Sequence, residues 1–396
     1  MHVEIGGKPT GPLAGVRVLD LSTIVSGPLC GQILGDMGAD VIKIETPIGD
    51  SARYMGGARA ADMTGFFVQM NRNKRGIVLD LKSERGAAAF RRLASQADVV
   101  LENFRPGVLD RLGVGWDVLR RENPRLVYAA ISGFGPEGPS AELPAYDMVL
   151  QAVSGIAKMI GTKEAPRLVS NLLADKTAGL NAAFAIAAAL YARERTGEGQ
   201  RIDIPMLDAF GGFVHLDQIG ATAFGEMQES SAVGELLFRA WETRDGHVAV
   251  LVIEDHQFVS FCRIVGREDL IGDERFASLV GRMTNAAALV DVMQGALRER
   301  TTAEIVEGAR RERAPIAAIN DLEGFLADAQ VRANGLVFEL EQPGAGRAPV
   351  LRSAPRFSST PSNVRRPAPN LGAHTREVLA EAGLEADEIE ALLSRS

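Results

Sequence analysis

The chain has 396 residues, of which 46% are hydrophobic and 24% are charged, and its 43 basic and 51 acidic residues give a formal net charge of −8. This length favours two domains, and the composition is that of an ordinary soluble globular protein. The acidic balance argues against a nucleic-acid partner, so any anionic ligand must be held by a local basic cluster.

The N-terminal pattern predicts a strand, a helix and a second strand. Residues 15–22 and 40–46 are β-branched and apolar runs, and residues 26–39 between them have a helical pattern that ends in glycine. Glu45 closes the second strand, where a dinucleotide-binding fold places the acid that binds the ribose. The loop STIVSGPLCG, however, lacks the G-x-G-x-x-G pattern that brings backbone against a pyrophosphate. We therefore predict this fold without the NAD cofactor.

Three further strands are predicted at residues 76–81, 98–103 and 126–132, and Ser83 is the expected cap of the helix that follows the first of them. Strands that alternate with helices indicate an α/β fold with a doubly wound parallel sheet. The ligand site of such a sheet lies beyond the carboxyl ends of its strands.

Polar and basic residues follow several of these strand ends. The polar positions are residues 23–26, Glu45, 80–82 and 103–105, and the basic side chains expected at the same edge are Lys74, Arg75, Lys82, Arg105 and Arg111. A run of surface charge is usually only a solvated face. Basic residues that repeat at the functional edge of an acidic protein instead favour an anion site.

Two carboxylates, Asp147 and Asp175, each open an apolar helical pattern within residues 141–195. A carboxylate at a helix N-terminus is kept ionised by unpaired backbone N–H groups and by the positive end of the helix dipole. Such a residue is either an N-cap or a poised nucleophile, and the pattern alone leaves both open.

The composition excludes several other classes of protein. The most apolar stretch, residues 177–192, is short for a bilayer and rich in alanine, so we expect a buried helix and no membrane association. No signal peptide opens the chain, and we predict a cytoplasmic protein. The two distant cysteines, Cys30 and Cys262, and the five scattered histidines give neither a disulfide framework nor the spacing of a metal site.

The composition changes near residue 225, where a polar segment predicts a linker. A hairpin with Asp245 and Gly246 at its turn follows, then helical patterns to about residue 330. We predict a large domain formed by residues 1–224, a smaller α+β domain at 225–332, and a C-terminal segment at 333–396.

Six segments together resemble one known family. They are LAGVRVLDLSTIVSGPLCGQILGDMGADVIKIETP, NRNKRGIVLDLKSERG, ADVVLENFRPGVLDRLGVGWDVLRRENPRLVYAAISGFG, AYDMVLQAVSG, LLADKTAGLNAAFAIAAALYARERTGEGQ and NLGAHTREVLAEAGL. In them the chain is similar to the class III CoA-transferase family (CaiB/BaiF type), which includes formyl-CoA transferase, carnitine CoA-transferase and α-methylacyl-CoA racemase. Several motifs in the family's order make this resemblance specific, and it is weakest in the small domain.

The resemblance implies a Rossmann-like large domain to which the C-terminal segment returns, and a homodimer of two interlocked rings. It implies CoA thioesters as substrates, a carboxylic acid as acceptor, and no permanently bound cofactor. The family's nucleophile is an aspartate that Asp175 matches in LLADKTAG. In the transferases this aspartate attacks the acyl-CoA thioester to give a mixed anhydride, and CoA thiolate then forms an aspartyl-CoA thioester that the acceptor resolves.

The resemblance and the basic cluster together assign a set of CoA contacts. They are Val25, Ser26, Lys74, Arg75, Leu79, Lys82, Asn103, Phe104, Arg105 and Arg111, with Tyr146 and Asp147 in support of the nucleophile. Arginine and lysine suit phosphates, and Phe104 either lies against the adenine or belongs to the core. Some relatives have Arg where this chain has Thr46, so that a contact is lost unless Arg53 replaces it.

Two other activities stand beside CoA transfer. Racemases of the family use a second base, a histidine at the position of Tyr146, and tyrosine is a poor base at neutral pH. This difference favours transfer over racemisation, and retention of Asp175 argues against a non-catalytic CoA-ester binding protein. Asp147 either supports the nucleophile or caps its own helix.

The substrate pair is less defined than the reaction. Formyl-CoA transferase closes a glycine-rich loop over its nucleophile, but residues 232–241 contain no glycine run. Formyl-CoA with oxalate is therefore doubtful, and dicarboxylic or branched acyl groups are expected. Transfer within one diacid and transfer between molecules both remain open.

Overall fold

The computed structural model describes residues 6–57, 59–60, 62–223 and 238–394. They form two compact units, one that includes the chain as far as Gly220 and again from Ala333, and one that includes Ala221–Arg332. The predicted boundary at residues 224 and 225 and the polar segment after it lie outside the described residues.

The larger unit is built on a six-stranded parallel sheet. In chain order its first eight strands are β1 (Arg17–Asp20), β2 (Asp40–Glu45), β3 (Arg59–Ala60), β4 (Met63–Thr64), β5 (Lys74–Val78), β6 (Val99–Glu102), β7 (Val127–Ser132) and β8 (Arg201–Pro205). The sheet order is β5-β2-β1-β6-β7-β8, while β3 and β4 pair with each other. All neighbours within the sheet are parallel, which confirms the predicted α/β fold with a parallel sheet.

Helices cover both faces of this sheet. They are α1 (Ser26–Asp36), α2 (Gly65–Asn71), α3 (Glu84–Ala94), α4 (Val108–Arg111), α5 (Trp116–Glu122), α6 (Asp147–Val153), α7 (Ile156–Ile160), α8 (Leu173–Thr196) and α9 (Met206–Thr222). Successive side chains of a strand point to opposite faces. Leu19 and Val100 accordingly join a core with α3 and α5, and Val18 and Val99 join one with α1, α8 and α9.

The smaller unit combines helices with a three-stranded antiparallel sheet. Its strands are β9 (Trp241–Glu242), β10 (His247–Val250) and β11 (Ile316–Ala318). Its helices are α10 (Asp255–Val265), α11 (Leu279–Thr284), α12 (Ala286–Arg298), α13 (Thr302–Glu312), α14 (Leu322–Ala327) and α15 (Ala329–Ala333). Since β9 and β10 pair on either side of Asp245 and Gly246, the predicted hairpin is confirmed.

The C-terminal segment packs on the larger unit. It contains the hairpin β12 (Val337–Gln342) and β13 (Gly346–Leu351), then α16 (Thr375–Glu381) and α17 (Ala386–Leu393). The backbone N–H of Val78 in β5 donates to Thr375 Oγ1 at 3.1 Å, and the N–H of His374 donates to Gly76 O at 2.9 Å. Among the described helices, none has both the length and the apolar character needed to cross a bilayer.

The strand order predicts a crevice at the carboxyl ends of two neighbouring strands. Numbered by their order in the chain, the six strands of the sheet lie 3-2-1-4-5-6, and the winding direction reverses between β1 and β6. Ligands of such sheets bind beyond the carboxyl ends of the strands at this reversal. The loops that follow β1 and β6, residues 21–25 and 103–107, therefore border the expected site.

Candidate active site

Asp175 lies in the first turn of the longest helix of the larger unit. Helix α8 begins at Leu173, and its N-cap residue, Leu172, makes no side-chain capping bond. Asp175 is therefore the third helical residue, and the interpretation of this residue as an N-cap is wrong. Its own backbone N–H, which lacks a partner within the helix, donates to Asp147 Oδ2 at 3.1 Å.

The Asp175 carboxylate faces the N-terminus of α1. The backbone N–H and the side-chain hydroxyl of Ser26, the first residue of α1, favour the ionised form of this carboxylate, and Ser26 and Asp175 line the same cavity. This proximity requires the two helices to approach closely, and Gly179 permits it: a Cβ added there would lie 2.6 Å from Ser26 O. The side chain that the sequence singled out is thus held against a positive helix end.

Opposing effects set the ionisation of Asp175. Burial, followed by the negative charge of Asp147, raises the pKa of Asp175 from its usual 3.8 to about 6. The hydrogen bonds from Ser26 and the charge of Lys176 act in the opposite direction. The carboxylate is therefore ionised at neutral pH and more basic than an exposed aspartate, as suits a nucleophile.

Asp147 connects the helix that contains it to the helix that contains Asp175. It is the first residue of α6, after the N-cap residue Tyr146, and only 1% of it is exposed. Its Oδ1 accepts from Gln151 Nε2 at 2.6 Å, and the same nitrogen donates to Asn171 O at 2.9 Å. Asp147 therefore does not cap its own helix; it bonds to the first turn of α8.

The loop between β1 and α1 has an unusual backbone turn. Ile24 has a φ of +70°, in the left-handed region that side chains of its type rarely adopt. Asn103 binds this loop: it accepts from Thr23 N–H at 2.8 Å and donates to Thr23 O at 2.8 Å and to Ser26 Oγ at 3.2 Å. The ends of β1 and β6 are thereby joined beside Asp175.

A cavity of about 260 Å³ opens beside the loops that follow β1 and β6. It is lined by Thr23, Ile24, Ser26, Asn103, Phe104, Arg105, Pro106, Ile131, Ser132, Gly133, Ala141, Leu143, Pro144, Ala145, Tyr146, Asp175 and Met206. The lining includes six residues that were singled out from the sequence: Ser26, Asn103, Phe104, Arg105, Tyr146 and Asp175. Phe104 also packs against one of the two cores of the larger unit, so its two suggested roles are compatible.

Lys74 and Arg75 are not part of this site, which corrects their assignment as CoA contacts. Their backbone lies at the amino end of β5, whereas the cavity lies beyond the carboxyl ends of the strands. The Lys74 ammonium is fully buried and donates to Asp20, to Pro28 O and to Asn71, which uses all three of its hydrogens. Both residues precede the apolar run that predicts this strand, so they lie at its amino end whether the strand begins at residue 74 or 76, and their assignment to the carboxyl end was wrong.

Arg75 is likewise committed to ion pairs. Its guanidinium donates to Asp40, Glu377 and Glu381, which ties β5 to β2 and α16. Arg53 does not replace the missing arginine at Thr46, because it is buried and forms a bidentate pair with Glu45.

The remaining predicted contacts differ in exposure. Val25, the N-cap residue of α1, and Leu79, which directly follows β5, are buried, so only their backbone is available to a ligand. Lys82 and Arg111 are exposed, and neither has a carboxylate of the described residues within ion-pair distance. Neither borders the cavity.

Several cavity residues were missed from the sequence, and the strand-end rule could have found those that lie at the ends of β7 and β8. Ser132 is the last residue of β7, and Met206 directly follows β8. No group of three or more potential metal ligands occurs within the described ranges. The segment 232–237, part of the stretch without a glycine run, lies outside them.

Comparisons with known proteins show which family the chain resembles over nearly its whole length. The family model described as CoA-transferase family III matches residues 13–375. The chain is 33% identical to the succinyl-CoA–L-malate CoA-transferase beta subunit of Chloroflexus aurantiacus, with 95% of each chain covered. It is 34% identical to the succinate–glutarate CoA-transferase of Agrobacterium fabrum, with 93% of this chain and 95% of the relative covered.

Among solved structures, a CAIB/BAIF family protein from Brucella suis is similar with a TM-score of 0.82 and 32% identity, over 94% of this chain and all of that one. The extent of these matches confirms the resemblance drawn from the sequence motifs. The chain belongs to CoA-transferase family III.

Proposed function

We propose that this CoA-transferase moves CoA from an acyl-CoA thioester to a carboxylic acid through covalent intermediates on Asp175. The observation that carries the proposal is the position of Asp175, which lines the cavity beside Ser26 at the N-terminus of α1. An ionised carboxylate at a helix N-terminus, open to a cavity on one side, is a usable nucleophile.

The reaction conserves the energy of the thioester over four exchanges. An Asp175 oxygen bonds to the thioester carbonyl carbon and the C–S bond breaks, which gives a mixed anhydride and CoA thiolate. The thiolate then bonds to the Asp175 carbonyl carbon and the donor acid leaves as a carboxylate. The acceptor carboxylate displaces the thiolate from this aspartyl thioester, and the thiolate attacks the acceptor's carbonyl to free Asp175. No net proton is taken up or released.

Residues around Asp175 suit these steps. The N–H and hydroxyl of Ser26 stabilise the negative charge of the carboxylate, which keeps Asp175 ionised for attack at neutral pH. Asp147 holds the first turn of α8 in place and raises the basicity of the nucleophile. We infer that Arg105 in the cavity, and the exposed Lys82 and Arg111, bind phosphates of CoA.

The transfer reaction is favoured over racemisation by the cavity lining. Racemisation needs a base on each side of the α-carbon, and none of the described residues that line the cavity is a histidine. Tyr146, 61% exposed, occupies the position where a second base is expected. Two relatives are named for succinyl, malate or glutarate substrates, so we propose a dicarboxylic acyl group for this protein.

The proposal can be tested by trapping the intermediate. Trypsin should release residues 168–176, LVSNLLADK, in which Asp175 is the only side-chain carboxylate. After incubation with succinyl-CoA and hydroxylamine in heavy water, mass spectrometry should find a hydroxamate on this peptide. Asp175→Asn should abolish labelling and turnover, while Asp117→Asn, in the exposed first turn of α5, should leave both intact. An unmodified protein that exchanges the α-hydrogen of the ester would show racemisation instead.

We further propose that a second copy of the chain covers an apolar surface on α8 and α9. On α8, Leu180, Phe184 and Tyr191 are 58%, 72% and 66% exposed, and on α9 Phe213 and Leu216 are 71% and 76% exposed. Spacings of three, four and seven residues place the members of each set on one face of their helix, and monomers rarely expose such a patch. A dimer also agrees with the family resemblance.

This second proposal is tested by sedimentation. Wild-type protein should sediment as a dimer, and Phe184→Asp should shift it to the monomer. The matched variant Ala88→Asp, which places the charge on the exposed face of α3, should remain dimeric. A monomeric wild-type protein would refute the proposal.

A further inference from the structure

The left-handed turn at Ile24 is held by a buried carboxylate that takes no part in the chemistry described above. The backbone N–H of Ile24 donates to both oxygens of Asp50, at 3.1 and 3.3 Å. A β-branched residue with positive φ persists only where its surroundings hold it there. We therefore expect the hydrogen bonds to Asp50 to hold Ile24 in this conformation.

Asp50 is itself fixed by a buried ion pair. Its Oδ2 lies 2.9 Å from Lys43 Nζ, and neither side chain is exposed at all. Lys43, on β2, also donates to Ser22 O at 2.9 Å. The pair thus holds the loop at two points, the carbonyl of Ser22 and the N–H of Ile24. The backbone N–H of Asp50 in turn donates to Glu45 Oε1 at 2.8 Å.

The turn decides where the donors of Ser26 point. Ser26 begins α1 two residues after Ile24, so the φ angle of Ile24 sets the direction in which the chain enters the helix. Asn103 also binds the loop, but its two backbone contacts are to Thr23, before the turn. A relaxed Ile24 would therefore move Ser26 relative to Asp175 even with Asn103 in place.

We infer that Asp50, paired with Lys43, is a positioning residue for catalysis: it holds the Ile24 turn and so keeps the Ser26 donors against Asp175. This inference rests on the proposed function, because its effect on turnover passes through the nucleophile. Asp50 touches neither the cavity nor Asp175.

The carboxylate cannot be replaced by an amide without loss of a contact. Oδ2 faces the Lys43 ammonium, and Oδ1 accepts from the N–H groups of Ile24 and Ala52. The NH2 group of an asparagine would meet a donor on either side. The turn would then relax, Ser26 would withdraw, and the proton on Asp175 would be bound more tightly.

The first test compares the pH dependence of kcat/KM in Asp50→Asn and Asp36→Asn. Asp36 is a matched control, since it is equally buried and paired with Arg72, but it lies at the opposite end of α1. In Asp50→Asn, kcat/KM at pH 7 should fall by about 10- to 100-fold, and the midpoint of the profile should move above its wild-type value. Asp36→Asn should keep the wild-type midpoint. Equal profiles for the two variants would overturn the inference.

The charged groups around Asp175 are the same in both variants. Asp147 on α6, Lys176 on α8 and Arg105 after β6 are unchanged, so a selective shift in the midpoint reports the Ser26 donors. A merely structural role of Asp50 would lower the amount of folded enzyme without moving the midpoint.

A second test uses the conformational freedom of glycine. Glycine adopts positive φ without strain, so Ile24→Gly reduces the need for a side chain that holds the turn. The effect of Asp50→Asn on the midpoint should therefore be smaller in the Ile24→Gly background than in the wild type. An undiminished effect would show that Asp50 does not act through Ile24.

A third test needs no variant, and so it applies even if Asp50→Asn does not fold. The N–H groups of Ser22, Thr23 and Ile24 are bonded to Asp20, Asn103 and Asp50. Hydrogen exchange in a peptide that spans residues 22–27 should be at least about 100-fold slower than in an unstructured chain. Exchange at unprotected rates would overturn the inference.

Failure of the inference is distinguishable from failure of the proposed function. The hydroxamate on peptide 168–176 of the wild type reports the nucleophile by itself. Labelling of that peptide together with an unchanged Asp50→Asn profile refutes only the role of Asp50. Absence of labelling in the active wild type refutes the covalent mechanism.

Discussion

Replacement of Asp175 by asparagine should stabilise the protein at neutral pH. The folded protein holds this carboxyl in a partly buried site beside Asp147, which raises the pKa of Asp175 to about 6. Ionisation of the group therefore opposes folding. An asparagine side chain at this position is not ionisable, and its carbonyl oxygen can still accept a hydrogen bond from Ser26, so the variant should avoid this cost.

The size of the effect follows from the two pKa values. Below pH 3.8 the folded and unfolded states both keep the proton, and the group does not affect stability. Between pH 3.8 and about 6 the unfolded chain releases this proton while the folded protein keeps it, so the free energy of unfolding falls as the pH rises. Above pH 6 the free energy of unfolding has fallen by its full amount, about 2 to 3 kcal/mol. This figure is the shift of about two pKa units at about 1.36 kcal/mol each, with an allowance for the partial exposure of Asp175.

Chemical denaturation of the wild type and Asp175→Asn at pH 5 and pH 8 measures this difference. The variant should be more stable by about 1 to 1.5 kcal/mol at pH 5 and by about 2 to 3 kcal/mol at pH 8. Asp117→Asn is the control, because Asp117 is exposed in the first turn of α5 and its loss should destabilise by less than about 1 kcal/mol. A variant that is no more stable than wild type at pH 8 would refute the reasoning.

Three further outcomes are expected. The kcat/KM of the wild type should rise with pH to a plateau with a midpoint of about 6, because the ionised form of Asp175 attacks; a flat profile between pH 5 and 8 would exclude this. Asp147→Asn should lower that midpoint by about 0.5 to 1 pH unit, since one of the two causes that raise the pKa is removed; an upward shift would contradict the assigned cause. Lys74→Met should lower the free energy of unfolding by about 3 to 5 kcal/mol, because it leaves the buried Asp20 carboxylate without its cation, and KM for the CoA ester should be unchanged. Arg105→Ala should have the opposite effect: it should raise KM about tenfold and leave the free energy of unfolding unchanged. If Lys74→Met also raised KM, Lys74 would be a CoA contact after all.

The incorrect assignment of Lys74 and Arg75 as CoA contacts shows what could not be predicted from the sequence. Their charge suits a phosphate, and their place beside an apolar run is correct. They precede the strand or begin it, so both lie at its amino end, away from the carboxyl ends that border the cavity. What no local pattern shows is that Lys74 pairs with the buried Asp20, and that Arg75 pairs with Glu377 and Glu381, because these partners are distant in the chain.

The sequence by itself determined the parallel α/β fold, the strand ends that border the cavity, and the place of Asp175 in the first turn of a helix. These features depend on periodicity and on residues close in the chain, which a local pattern records. The tertiary structure alone decided that Ser26 lies beside Asp175 in the cavity, that Asp147 bonds to the backbone of Asp175, and that Asp50 holds the loop before α1. Those partners are separated from the groups they bind by 26 residues or more, and they meet only because the helices and strands pack closely.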